Sequence, residues 1–179
     1  MKISVRALDR AARPADIIGI GIFEADKRAF ERVFDFKKIK FMGKSGETFL
    51  VPGSPTKTKG VVLLIGLGKR ENFTLEKVRC AAAKLISQAK SFWFERAELD
   101  LDTFQEKFSV GEIAAAAVEG ARLSDYRFDK YKSKPSPSRK LEELKLVFKD
   151  FKKSKNAAKA VSESEAVISG IIFARDVAN

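Results

Sequence analysis

Apolar and polar positions change period several times along the chain, and each change predicts a new element. Residues 2–8 alternate and predict a first strand. Residues 16–23 (DIIGIGIF) are apolar on both faces, which predicts a central strand, with Arg13-Pro14 marking the turn before it. In residues 25–36, Phe30, Val33 and Phe34 form an i, i+3, i+4 stripe that predicts a helix. Residues 47–51 predict a short strand, stopped by Pro52-Gly53 and Pro55. Residues 60–66 (GVVLLIG) give the strongest strand signal: β-branched, uncharged, bounded by glycines and suited to burial on both faces.

Thr74 is placed to N-cap a helix over residues 75–89, with Val78, Ala82, Leu85 and Ile86 on its inner face. Residues 97–101 predict another strand. Ser109-Val-Gly-Glu112 has the spacing of a capping box before the alanine-rich stretch 113–123, a helix small enough on its surface to pack closely. After a Pro/Ser/Lys-rich turn at 132–140 come a strand over 144–148 and a last helix from about residue 154 or 156. Strand and helix signals alternate, so the fold class is α/β: a mixed, mainly parallel sheet flanked by helices. We divide the chain at 1–153, one α/β domain, and 154–179, a terminal helix. In that helix Ile168, Ile171, Ile172, Phe173 and Val177 spread widely around the axis, so it expects more protein to pack against.

Composition narrows the chemistry. The chain has no histidine, which removes His-based nucleophile systems and His-ligated zinc, but not chemistry built on Lys, Asp and Glu. Cys80 is its single cysteine, so no internal disulfide forms. No run approaches the roughly 20 apolar residues that span a bilayer, and the start has no apolar signal core. We therefore expect no membrane partner and a cytoplasmic location. The net charge of +11 is uneven: residues 127–159 hold 12 Lys/Arg against 4 Asp/Glu. Aromatics interleave with cations from Tyr126 to Lys132, and Lys130, Lys132, Lys134, Arg139 and Lys140 are the candidate contacts for nucleic acid. Such binding would be weak and salt-sensitive; a solvated loop anchored by its aromatics is the simpler explanation.

Other candidates each have a plainer alternative. Gly66-Leu-Gly-Lys69 follows a buried strand, where backbone amides could cradle a phosphate. The third glycine of a dinucleotide fingerprint is replaced by Glu71, which favours a tight turn. Gly43-Lys-Ser45 resembles the end of a P-loop, but Lys38 stands where its first glycine is required. Glu98, Asp100 and Asp102 alternate, so on a strand they would share one face, as cation ligands or as a solvated surface. Cys80 is read as a small packed residue. Trp93, between Phe92 and Phe94, is read as an anchor rather than a stacking platform.

Four segments carry a resemblance. Phe41-Met-Gly-Lys-Ser-Gly-Glu-Thr48 resembles the F-x-G-K-x-G-E-T segment of the leucyl (cytosol) aminopeptidase family. Residues 62–69 resemble its buried strand and turn. Residues 119–132 fit its E-G-x-x-L-x-x-Y-x-F-x-x-Y-K, and residues 170–179 its A-R-D-x-x-N junction helix. They occur in the family's order; the first forty residues agree only in strand pattern. The resemblance implies an amino-terminal domain with a macrodomain-like three-layer sandwich and a structural or assembly role. It implies a parent enzyme that removes amino-terminal residues from peptides, favouring leucine-like side chains, and assembles as a hexamer. Two divalent ions, zinc or manganese, would be held by a carboxy-terminal catalytic domain in cis. The family's metal-binding segments do not occur in residues 1–179, so no catalytic or metal residue, and no cofactor, is assigned to this chain. The alternative is a stand-alone macrodomain-like module that binds nucleic acid or ADP-ribose.

Overall fold

A computed structural model of the chain describes residues 1–7, 14–26, 40–51, 60–104, 107–128 and 141–178. Its strands are β1 (Lys2–Ala7), β2 (Ile17–Phe23), β3 (Thr48–Val51), β4 (Val61–Gly68), β5 (Arg96–Asp100) and β6 (Glu143–Phe148). They form one sheet in the order β1-β6-β5-β2-β4-β3. Only β3 runs antiparallel, on β4. Parallel neighbours need long crossovers. Here α1 (Leu75–Ser91) links β4 to β5, α2 (Val110–Asp125) links β5 to β6, and α3 (Phe151–Ala178) follows β6. The α/β class and the mixed sheet agree with the hydrophobic pattern, and β2 lies inside the sheet as its two-sided apolar run requires.

Period decides which side chains meet. Leu63, Ile65, Leu99, Leu144 and Leu146 point to one face, where they pack with Val78, Leu85 and Ile86 of α1 and Ile113 and Ala117 of α2. Each such aliphatic side chain contributes about 1.5–3 kcal/mol when fully buried. The opposite face carries Ile22, Val62 and Leu64 against Phe41. Of the helix expected over 25–36, Ala25 and Asp26 belong to a 3-10 turn (Glu24–Asp26). Residues 27–36 lie outside the described residues.

The termini of α1 and α2 show how local chemistry ends a helix. Ser109 Oγ accepts from the Glu112 amide at 3.2 Å, and the Ser109 amide donates to Glu112 Oε2 at 2.8 Å, so the capping box forms. These bonds hold the exposed Glu112 carboxyl below its ordinary pKa. Thr74 does occupy the N-cap of α1, but without a side-chain bond. Two overlapping bonds end α1, Phe94 N–H to Ala89 carbonyl (2.9 Å) and Trp93 N–H to Lys90 carbonyl (3.2 Å). They place Trp93 at φ 61°, the position usually taken by glycine.

The alanine-rich face of α2 permits a close approach to α1. A Cβ built at Gly120 would overlap the Arg79 carbonyl oxygen, and beside it Arg79 Nε donates to Glu119 at 2.5 Å. From its other side α2 holds α3. Arg122 donates from Nε to both Glu165 oxygens (2.9 and 3.0 Å) and from Nη1 to the Met1 carbonyl (2.7 Å). Tyr126 donates to Asp176 at 2.8 Å, with Arg175 over its ring.

The helix α3 begins at Phe151, earlier than the pattern suggested, and buries Ser154, Ala157, Val161, Ser164 and Ile168. Ile168 therefore belongs to this domain's interior and Ile172 is half-buried. Val167, Ile171, Phe173 and Val177 remain outside, Phe173 and Val177 at 70% and 71% exposure. No helix among the described residues is long and apolar enough to cross a membrane.

Gly120→Ala separates two opposing effects. Alanine gains about 0.5–1 kcal/mol as a helix former, whereas forcing atoms into a packed contact costs about 1–3 kcal/mol. Because the obstacle is backbone, we expect a net loss and a lower urea midpoint. An unchanged or higher midpoint would contradict the close approach of α1 and α2.

Candidate functional site

Ligands of parallel α/β sheets bind outside the carboxyl ends of the strands, where the chain's winding reverses. Here the connections leaving β2 and β5 run in opposite directions, so the reversal falls between those two strands, and Gly66-Leu-Gly-Lys69 stands one strand away at the end of β4. The amides of its two glycines are already used. Gly66 N–H donates to the Glu47 carbonyl at 2.7 Å, and Gly68 N–H to the Gly43 carbonyl at 2.8 Å. The partner is the turn formed by residues 42–47. Glu47 closes that turn with its carboxylate, accepting from the Met42 amide (3.1 and 3.0 Å) and the Lys44 amide (3.0 Å). Gly43 and Gly46 take positive φ there, and a side chain at Gly66 would meet the Lys44 carbonyl. Lys77 Nζ reaches the Leu67 carbonyl at 2.8 Å, and Lys84 Nζ bonds the Gly46 carbonyl. The F-M-G-K-S-G-E-T segment is thus a plug on the end of β4, and the tight-turn reading of Gly66–Lys69 needs correction: Gly66–Gly68 are the end of that strand, and the turn follows as a 3-10 helix at Arg70–Asn72.

Beyond the plug lies a cleft of about 420 Å³ lined by Glu24, Ala25, Lys69, Arg70 and Glu71. Arg70 pairs with Asp26 and lies 4.6 Å over the Phe23 ring, joining the turns that follow β2 and β4. Two carboxylates oppose two cations, so the cleft has no strong sign of its own. Its described lining residues include no nucleophile with a base beside it.

On the sheet face away from the helices, Ser4, Lys145, Glu98 and Ile18 stand in one row across four strands. Lys145 is buried, and its Nζ lies 3.5 Å from Glu98 and 3.9 Å from Glu143. Buried charge is tolerated when countered in this way. Asp100 shares the face, but Asp102 does not continue the alternation. The strand stops at Asp100 and Asp102 falls in a 3-10 helix (Leu101–Phe104), where it accepts the Lys149 amide and pairs with Lys153 at 3.2 Å. The three carboxylates thus do not converge. Among the described residues no group of three or more His, Cys, Asp or Glu could hold a metal ion, so the two ions implied by the resemblance find no fitting donor set there.

The candidate contacts Lys130, Lys132, Lys134, Arg139 and Lys140 lie outside the described residues. Other cations of the basic region are dispersed: Lys145 is buried on the sheet, Lys153 faces Asp102, and Lys159 pairs with Glu163 along α3. Two expectations need correction. Cys80 is exposed rather than packed, because the inner stripe of α1 passes through Val78, Ala81 and Ala82. Partial burial and Glu76 raise its pKa, which disfavours the reactive thiolate. Phe94 does pack against the core, but Phe92 and Trp93 stand 50% and 52% exposed.

This architecture has known counterparts. A mutant of tomato leucine aminopeptidase superposes on all of the chain with a TM-score of 0.78 at 17% identity, using 38% of its own length. The bottromycin maturation enzyme in complex with Mn covers 92% of the chain at TM-score 0.68 and 24% identity, with 32% of its own length. Both share this chain's α/β fold. Residues 36–135 match the model of the cytosol aminopeptidase family, N-terminal domain, and the chain belongs to that family. A probable cytosol aminopeptidase of Roseiflexus castenholzii is 30% identical over 181 residues, and one of Persephonella marina 33% identical over 141. The chain spans 37% and 28% of their lengths.

Asp100 supplies a test of the polar sheet face. Burial raises its pKa, with Asp102 adding to the shift and Lys149 opposing it. A carboxyl raised in the folded state favours the proton there, so its contribution is present at low pH and lost as pH rises through the raised value. Asp100→Asn should therefore raise the melting temperature at pH 7. The gain should fade as pH falls below the ordinary carboxylate range. Thermal melts at both pH values check this; a gain independent of pH would exclude ionisation as its cause.

Proposed function

We propose that this chain is the non-catalytic amino-terminal domain of a metal-dependent aminopeptidase, with a structural and assembly role. Residues 1–153 form the domain, and residues 154–179 join it to a carboxy-terminal catalytic domain in cis. The outer surface of α3 carries this reading. Val167, Ile171, Phe173 and Val177 are exposed on its last turns, while Tyr126, Arg122 and Glu165 hold the helix firmly by its other side. An apolar surface on an anchored helix suits a further packed layer. The greater length of the relatives supports the same reading.

In the whole protein the catalytic domain would hold two divalent ions, zinc or manganese, and remove amino-terminal residues from peptides. Hexameric assembly and a cytoplasmic location complete the proposal. A stand-alone module for ADP-ribose has less support, because the amides of Gly66 and Gly68 serve the chain's own turn.

Two measurements test the proposal. The 179-residue chain should not hydrolyse leucine p-nitroanilide with added zinc or manganese. Turnover of about 1 per second or faster, an ordinary enzymatic rate, would overturn the non-catalytic reading. In hydrogen exchange on a dilute sample, residues 169–178 should exchange faster than Val61 to Ile65, since a helix packed on one side only is marginal. Equal protection would show that α3 needs no further layer.

A further inference from the structure

The carboxyl ends of the three helices lie together. Lys90, in the last turn of α1, holds the carbonyl and carboxylate of Asp125 at the end of α2, at 3.2 and 2.9 Å. The next residue, Tyr126, bonds Asp176 in the last turn of α3, with Arg175 over its ring. Exposed apolar side chains collect along this line. Phe92 and Trp93 follow Lys90 at one end of it, and Phe173 and Val177 flank Asp176 at the other. Phe173 stands one turn before Asp176, and residues three apart share a side of a helix. It therefore lies on the side of α3 that meets Tyr126.

The hydrogen bonds that end α1 account for the turn at Trp93 but not for its indole. Glycine would make the same bonds at a φ of 61° with no Cβ in the way. The ring itself is 52% exposed. Phe94 packs on the core and stacks on Phe92 at 5.8 Å and 22°, so the turn has a fixed base. The charged groups between this turn and α3 are already held within the domain, Lys90 by Asp125 and Asp176 by Tyr126. Residues 166–174 of α3 carry no charge at all. A partner laid across this end covers apolar side chains while the polar groups beneath keep their bonds, as the core of a stable interface requires.

We propose that Phe92, Trp93 and the outer side of the last turns of α3 form one docking surface, and that the carboxy-terminal domain of the same chain covers all of it. The proposal rests on the reading of α3 as a junction helix and extends it. In that reading the domain follows α3, so it begins beside Tyr126 and meets the aromatic turn next. Aromatic side chains on a fixed base are the usual anchors of such a contact.

Trp93 is the sole tryptophan of residues 1–179, so its emission reports on this turn. In the dilute 179-residue chain it should emit as a solvated indole, readily quenched by acrylamide. In the longer protein that the junction reading requires, its emission should shift to the blue and lose most of that quenching. Subtracting the spectrum of a Trp93→Phe variant removes any other tryptophan. Trp93→Gly should melt no lower than its parent in the 179-residue chain, since glycine suits the positive φ. In the longer protein it should melt lower, because a covered ring is lost. Phe173→Trp, placed in the Trp93→Phe background, tests the junction reading separately. Protection of that tryptophan in the longer protein, with Trp93 still solvated, would overturn this proposal and leave the reading of α3 standing. Solvated tryptophans at both positions, or a reading frame that closes after Asn179, would overturn the two together. A blue-shifted Trp93 in the dilute 179-residue chain would also overturn the proposal, by showing that the domain itself or a second copy covers the ring.

Discussion

The helical layer depends on the contact between Gly120 and the backbone of Arg79. Any side chain at that point would push α1 and α2 apart. Because α2 is the middle helix, everything it carries would move with it. The Arg79–Glu119 pair closes one side of the contact. On the other, Arg122 reaches both the first residue of the chain and Glu165 of α3. A single missing Cβ thus fixes the distance at which three separate segments are bonded. Packed interiors transmit such displacements because they hold little free volume.

The same economy accounts for the described residues of the family motifs. Glu47, Gly43, Gly46 and Gly66 are one device: a carboxylate folds the turn, two glycines supply its backbone angles, and a third makes room for it on β4. Glu119, Gly120, Tyr126 and Asp176 likewise join α1, α2 and α3. A motif can persist for packing alone, and what it identifies is then an architecture.

The turn after α1 contrasts with these. The devices named above sit where the chain is packed. At Trp93 the constraint is present and the burial is largely missing. Its compensation is the pair of hydrogen bonds that ends α1, from the Phe94 amide to the Ala89 carbonyl and from the Trp93 amide to the Lys90 carbonyl.

Elements over residues 2–8, 60–66, 75–89 and 113–123 were legible from the chain alone and form, with ends shifted by a few residues, as β1, β4, α1 and α2, because strand and helix periods and the Ser109–Glu112 box are local properties. The α/β class followed from their alternation. Tertiary structure decided the rest. It ended β5 at Asp100 and so removed Asp102 from the row of carboxylates. It turned Cys80 outward, left Phe92 and Trp93 in solvent, and buried Ile168. It also gave the amides of Gly66 and Gly68 to a turn some twenty residues earlier rather than to a phosphate. Each of these outcomes depends on which distant segments meet. Hydrophobic period specifies that a face is buried, but not against what, since burial is non-directional and only the packed fold supplies the partner.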